Sequence, residues 1–125
     1  MNLMALTTQI EGWAIDKNLD KADPAKQMLK LTEEHGELAA ALAKGRKKAK
    51  VKDAVGDMYV VLTILCMQLD IDIRDCIESA YGDIADRKGK MVNGVFVKEE
   101  DLQETSSLYR DGIANPETGR RKYQR

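Results

Sequence analysis

The chain is poor in the residues that hold a small protein together by means other than a hydrophobic core. Cysteine occurs only at Cys66 and Cys76, each inside an apolar run. A reduced thiol there behaves as a small hydrophobe, so neither a disulfide framework nor a thiolate zinc site is expected. Only 2 prolines and 9 glycines interrupt 125 residues that are 43% hydrophobic and 33% charged, which excludes a wholly disordered or fibrous chain. Neither charge sign dominates: 20 Lys+Arg stand against 21 Asp+Glu, for a formal net charge of −1. No global field draws the chain to nucleic acid or anionic lipid, so nucleic acid is not an expected partner. The longest apolar stretch, Met58 to Met67 broken only by Thr63, is about half of the roughly 20 residues needed to cross a bilayer. No basic segment followed by an apolar core and cleavage site opens the sequence, and a cytoplasmic protein with no membrane partner is expected. The length suits one domain with one core.

Aromatics make up 5% of the chain, whereas Ala, Leu, Met, Lys and Glu abound through residue 88, a composition that favours helix. Four helices are predicted. The first covers about residues 3–17, with Leu3, Leu6, Ile10, Trp13 and Ala14 as its apolar stripe and Asn18 near its end. Asp23 followed by Pro24 marks a start, because the aspartate caps and proline suits the first turn. This second helix runs to about Lys44, where Gly45 stops it. The third covers about Lys48 to Leu69. The fourth runs from an Asp72 cap to about Arg87, with Ile73, Cys76, Ile77, Ala80 and Ile84 on its apolar side. The third helix is apolar nearly all round and needs more neighbours than four helices supply, which places it at the centre of a homo-oligomer.

After Gly89 an Asn93-Gly94 pair lies between Met91-Val92 and Val95-Phe96-Val97, a short hairpin signal. The expected organisation is a helical domain over 1–102, with a terminal hairpin at about 90–97, and a basic, flexible tail over 103–125.

The second helix carries Glu33, Glu34 and Glu37 at spacings that put three carboxylates on one side, while Met28, Leu31, Leu38 and Leu42 supply packing on another. Alone, such a cluster reads as a solvated acidic face, as it would on a non-catalytic helical module that binds a protein partner. The third helix adds Asp53, Gly56 and Asp57. In an antiparallel hairpin turning near residue 47, Glu37 and Asp57 each lie about 10 residues, or roughly 15 Å, from the turn and are level. Carboxylates on two facing helices suit a hard divalent ion that keeps waters and bridges to phosphates. Gly56 beside them leaves room for backbone or ligand.

The segments Glu33-Glu34-His35-Gly36-Glu37, Asp53-Ala54-Val55-Gly56-Asp57 and Arg87-Lys88-Gly89-Lys90-Met91-Val92-Asn93-Gly94 resemble the MazG-like nucleoside triphosphate pyrophosphohydrolases, and among them the small phage-type members. The resemblance spans Ala22 to Leu102. It implies an all-α, four-helix fold, a homodimer or homotetramer, and Mg²⁺, with Mn²⁺ as the alternative ion. It further implies cleavage of a nucleoside triphosphate between the α- and β-phosphates. Glu34, Glu37 and Asp57 would be metal ligands, and Glu33 would orient or deprotonate the attacking water. The commoner pattern has Glu three residues before the final aspartate; here that position is Ala54 and the acid is Asp53, which shares a face with Asp57.

Gln27, Lys30, Lys88 and Lys90 are candidate substrate contacts, Lys30 equally a salt-bridge partner for Glu34. Trp13 reads as a core anchor or a base contact. His35, between Leu31, Leu38 and Leu42, reads as a packed histidine. The run Lys44, Arg46, Lys47, Lys48, Lys50 reads as a solvated connection, since no aromatics interleave it.

Overall fold

A computed structural model describes residues 1–102 together with the backbone of 114–115 and 120–121. It shows four helices, α1 (Leu3–Asp16), α2 (Pro24–Ala43), α3 (Lys48–Gln68) and α4 (Ile73–Ala85), followed by the strands β1 (Gly89–Val92) and β2 (Val95–Lys98). Two short strands, β3 (Ala114–Asn115) and β4 (Arg120–Arg121), pair antiparallel. The flexible tail expected over 103–125 otherwise lies outside the described residues. Two compact units, Met1–Ala80 and Tyr81–Arg125, divide the chain.

Local sequence chemistry sets the helix ends. Asn2 Oδ1 accepts from Ala5 N–H at 2.9 Å and opens α1, and Asp23 Oδ1 accepts from Ala25 N–H at 2.9 Å before Pro24, each satisfying a first-turn donor that has no helical partner. α1, α2 and α3 close in the same way. Asn18 (φ 59°), Gly45 (φ 60°) and Asp70 (φ 59°) take the left-handed conformation. The residue after each donates to the carbonyl five back: Leu19 to Ala14 at 2.9 Å, Arg46 to Ala41 at 2.9 Å and Ile71 to Cys66 at 2.9 Å. These are Schellman closures.

α3 packs against α2 and α1. Val61 and Thr63 to Cys66 are buried while Leu62 between them is exposed, so within its own chain only the C-terminal half of α3 is enclosed, and not on every side. Of the apolar stripe expected on α1 only Ala14 is fully buried and Ile10 is half-buried. Thr7 and Ala14 are buried, while Leu3, Leu6 and Trp13 are exposed. Thr7 Oγ1 donates to the Leu3 carbonyl at 2.7 Å and shares a 2.7 Å hydrogen bond with Tyr59 Oη of α3, so a polar pair is satisfied inside the contact. On α4 only Ile73 of the expected stripe is buried.

The start of α4 is held to α1 by Arg74. Its guanidinium donates to Glu11 Oε1 at 2.9 Å and Oε2 at 3.1 Å, to Thr8 Oγ1 at 2.9 Å and to Asp72 Oδ1 at 3.1 Å. The Glu11 carboxylate and then Asp72 push the Arg74 pKa up, as a two-pronged charge-assisted contact should. Asp72 caps the helix by accepting from Arg74 N–H at 2.8 Å. That bond, followed by the guanidinium, lowers its carboxyl below the usual value. The Cys66 thiol is pushed up by burial first and by Cys76 second; both cysteines are free.

In the second unit, β1 and β2 form an antiparallel hairpin with Gly89 opposite Lys98 and Met91 opposite Phe96. Asn93 (φ 51°) and Gly94 (φ 80°) supply the two positive φ angles of a primed turn. A Cβ on Gly89 would collide with the Val97 carbonyl oxygen and come within 2.6 Å of Phe96 Cζ. The strand therefore needs glycine where the ring crosses it. Gly89→Ala is expected to destabilise the hairpin by about 1–3 kcal/mol, as overpacking does. Amide exchange over residues 89–98 checks this: protection should fall there and persist in α2 and α3.

Candidate active site

Of the three acids on α2 only Glu34 is buried, and of the expected packing stripe Leu31 and Leu38 are half-buried. Glu34 is only 7% exposed and Ala41 is buried, whereas Met28 and Leu42 of the expected packing stripe are half or more exposed. His35 is exposed rather than packed. The reason is geometric: periodicity says which residues share a face, but the face that meets α3 is decided by the whole hairpin.

Glu34 is therefore a buried carboxylate. Lys30 Nζ lies 3.7 Å from Glu34 Oε1 and 3.6 Å from Glu33 Oε2, while Glu34 Oε2 is buried with no hydrogen-bond partner. An orphaned buried carboxylate oxygen is costly, and a cation is the partner its chemistry fits best. Glu33 is 66% exposed at its side chain.

Two cavities flank this position and meet at Asp57. The first, about 560 Å³, has Trp13, Val60, Val61 and Ile64 as apolar walls and Asp23, Lys26, Gln27, Lys30, Glu34 and Asp57 as polar ones. Trp13 is half exposed on its edge and is not a core anchor. Gln27 Nε2 donates to the Val61 carbonyl at 3.2 Å, across from α2 to α3. The second cavity, about 460 Å³, is lined by Glu37, Ala41, Arg46, Lys50, Asp53, Ala54 and Asp57.

The structure thus brings Glu37, Asp53 and Asp57 to one cavity and Glu34 and Asp57 to the other, with Gln27 and Lys30 beside Glu34. Ala54, where the commoner pattern has Glu, is buried between the two aspartates' turns. A Cβ on Gly56 would meet nothing within 4 Å, so no protein backbone approaches there. Among the described residues no three His, Cys, Asp or Glu side chains converge tightly enough to enclose a cation unaided. A hard divalent ion that completes its shell with waters and phosphate oxygens does not require such a cage; the unpartnered Glu34 Oε2 and the Asp57 carboxylate on the same cavity are oxygen donors of the kind it takes. Lys88 lines a separate cavity of the second unit, with Asp83, Asp86, Arg87, Lys98, Glu99 and Glu100, and Lys90 is exposed on β1. Arg46 and Lys50, which read as part of a solvated connection in the sequence, line the second cavity together with the acids because the hairpin folds the basic run back toward them.

A helical hairpin with acids on both arms is the architecture of the all-α nucleoside triphosphate pyrophosphatase, or MazG-like, superfamily. Within it, the family model described as Phosphoribosyl-ATP pyrophosphohydrolase matches residues 6–81, and the chain belongs to that family. An uncharacterized 18.2 kDa protein from the rep-hol intergenic region of Haemophilus phage HP1 (strain HP1c1) is 44% identical over 72 residues. The match covers 57% of this chain and 44% of the relative, so the chain spans less than half the relative's length. No solved structure matches significantly. Among the described residues no single helix is long and apolar enough to cross a membrane.

Proposed function

We propose that the chain is a Mg²⁺-dependent nucleoside triphosphate pyrophosphohydrolase that cleaves between the α- and β-phosphates and releases a nucleoside monophosphate and pyrophosphate. The observation that carries this reading is the buried, unpartnered Glu34 Oε2 on a cavity shared with Asp57; family membership supports it. Glu34, Glu37, Asp53 and Asp57 would hold the ion. When bound, a divalent cation neutralises phosphate charge and polarises the anhydride. Glu33, exposed beside Lys30, would orient the attacking water and take its proton. Trp13, Val60 and Ile64 offer an apolar wall for the nucleoside. Leu3, Leu6, Leu29, Leu62 and Ile77 are exposed, and such surface supports a homodimer or homotetramer.

The test is product analysis with Mg²⁺ and a panel of ribo- and deoxynucleoside triphosphates, including dUTP, noncanonical bases and phosphoribosyl-ATP. Monophosphate and pyrophosphate are the expected products from at least one; inorganic phosphate, or no product, overturns the reading. Mg²⁺ is also expected to stabilise the fold by about 2.7 kcal/mol at a hundred times its Kd, read as a rise in Tm. Indifference to the ion would favour the non-catalytic interaction module instead.

A further inference from the structure

The cavity that holds Glu37, Asp53 and Asp57 also holds two cations, Arg46 and Lys50. The ion pairs among the described residues involve Lys30 and Arg74, so Arg46 and Lys50 face the acids without closing a salt bridge on them. Their placement is set by the backbone. Gly45 turns at φ 60° and Arg46 N–H donates to the Ala41 carbonyl at 2.9 Å, which returns Arg46 over the end of α2. Lys50 stands in the first turn of α3, whose cap, Lys47, makes no side-chain hydrogen bond and whose first turn carries no acid. Cations at a helix start oppose the macrodipole. A local rule broken in this way finds its compensation when an anion binds.

The two cavities that meet at Asp57 differ in chemistry. One presents Trp13 and an aliphatic wall, the other a guanidinium and an ammonium among carboxylates. A nucleoside triphosphate has the same polarity, an aromatic base at one end and its highest charge density at the other. We infer that Arg46 and Lys50 bind the β- and γ-phosphates, so that the turn joining α2 and α3 is the leaving-group end of the site and Trp13 the nucleoside end. The inference rests on the pyrophosphohydrolase reading above and fixes the direction in which the substrate lies. In the reaction, the water oxygen bonds to the α-phosphorus and its proton passes to Glu33. The bond from that phosphorus to the α–β bridging oxygen breaks, and its electron pair leaves with pyrophosphate. Arg46 stabilises that departing charge with two parallel N–H donors, a geometry an ammonium lacks.

The experiment is calorimetric titration of inorganic pyrophosphate, with Mg²⁺ present, into the wild-type chain and into Arg46→Ala, Lys50→Ala, the double variant and Arg46→Lys. Titration of the monophosphate product serves as the counter-measurement. Both side chains are exposed, so the variants should fold; circular dichroism checks this. Each alanine variant is expected to weaken pyrophosphate binding about tenfold, the scale of a lost charge-assisted hydrogen bond, with Arg46→Lys intermediate and monophosphate affinity little changed. Trp13→Ala should do the reverse. Pyrophosphate affinity that is unchanged, that falls in step with monophosphate affinity, or that is absent from the wild type overturns the inference. Failure of the parent reading shows separately, as the absence of hydrolysis of any nucleotide in the panel.

Discussion

Asp57→Ala is expected to lower kcat/KM by about 10³-fold, comparable to losing one preorganised electrostatic contact to a transition state, or ~4 kcal/mol of barrier. Asp57 is the one acid common to both cavities, so on the proposed function its loss would remove a ligand from the point where the scissile bond would lie. Its side chain is exposed and makes no hydrogen bond or ion pair within the described residues. Fold stability should therefore change by no more than about 0.5 kcal/mol, as at other surface positions. Glu37→Ala, also exposed and on the second cavity, should behave in the same way. Steady-state kinetics beside thermal melts of each variant would separate the two effects. Unfolding by either substitution, with activity intact in the folded fraction, would mean that these acids serve the fold.

Glu34→Met is expected to move stability and activity in opposite directions. The wild-type side chain buries a carboxylate whose Oε2 has no partner and whose Oε1 has only Lys30, at 3.7 Å. Replacing a poorly compensated buried charge by an apolar side chain of similar volume commonly stabilises by about 1–4 kcal/mol. The metal-free variant should therefore melt at a higher temperature than the metal-free wild type. It should lose both hydrolysis and the Mg²⁺-dependent rise in Tm, because the burial is tolerated for the sake of the ligand. A variant that melts lower would show that Glu34 is already satisfied in the free chain, and the metal reading would lose its main support.

Much of the fold is legible in the sequence because helix boundaries are local chemistry. Asp23-Pro24, Gly45 and Asp72 each act through a backbone group within a few residues, and the Asn93-Gly94 turn needs only its two φ angles. What resists reading is which side of a helix meets its neighbour. On α1 the leucines and Trp13 of the expected stripe are exposed while Ala14 is packed, and the residue missing from that stripe is Thr7, buried because Tyr59 brings a hydroxyl that Thr7 can satisfy. On α2 the same uncertainty hid the burial of Glu34. The spacing of Glu34, Glu37, Asp53 and Asp57 singles out the acids that line the two cavities, yet Arg46 and Lys50 join the second of them only through the turn at Gly45. That is a tertiary fact with no periodic signature.

The Gln27 amide that reaches the Val61 carbonyl at 3.2 Å acts as a registration pin between the two acid-bearing helices. Sliding one past the other by a single turn, about 5.4 Å, would tear it out and strand a half-buried amide. That contact favours side-chain rotation, which is fast, over slippage of the scaffold as the way the carboxylates would draw around an incoming ion.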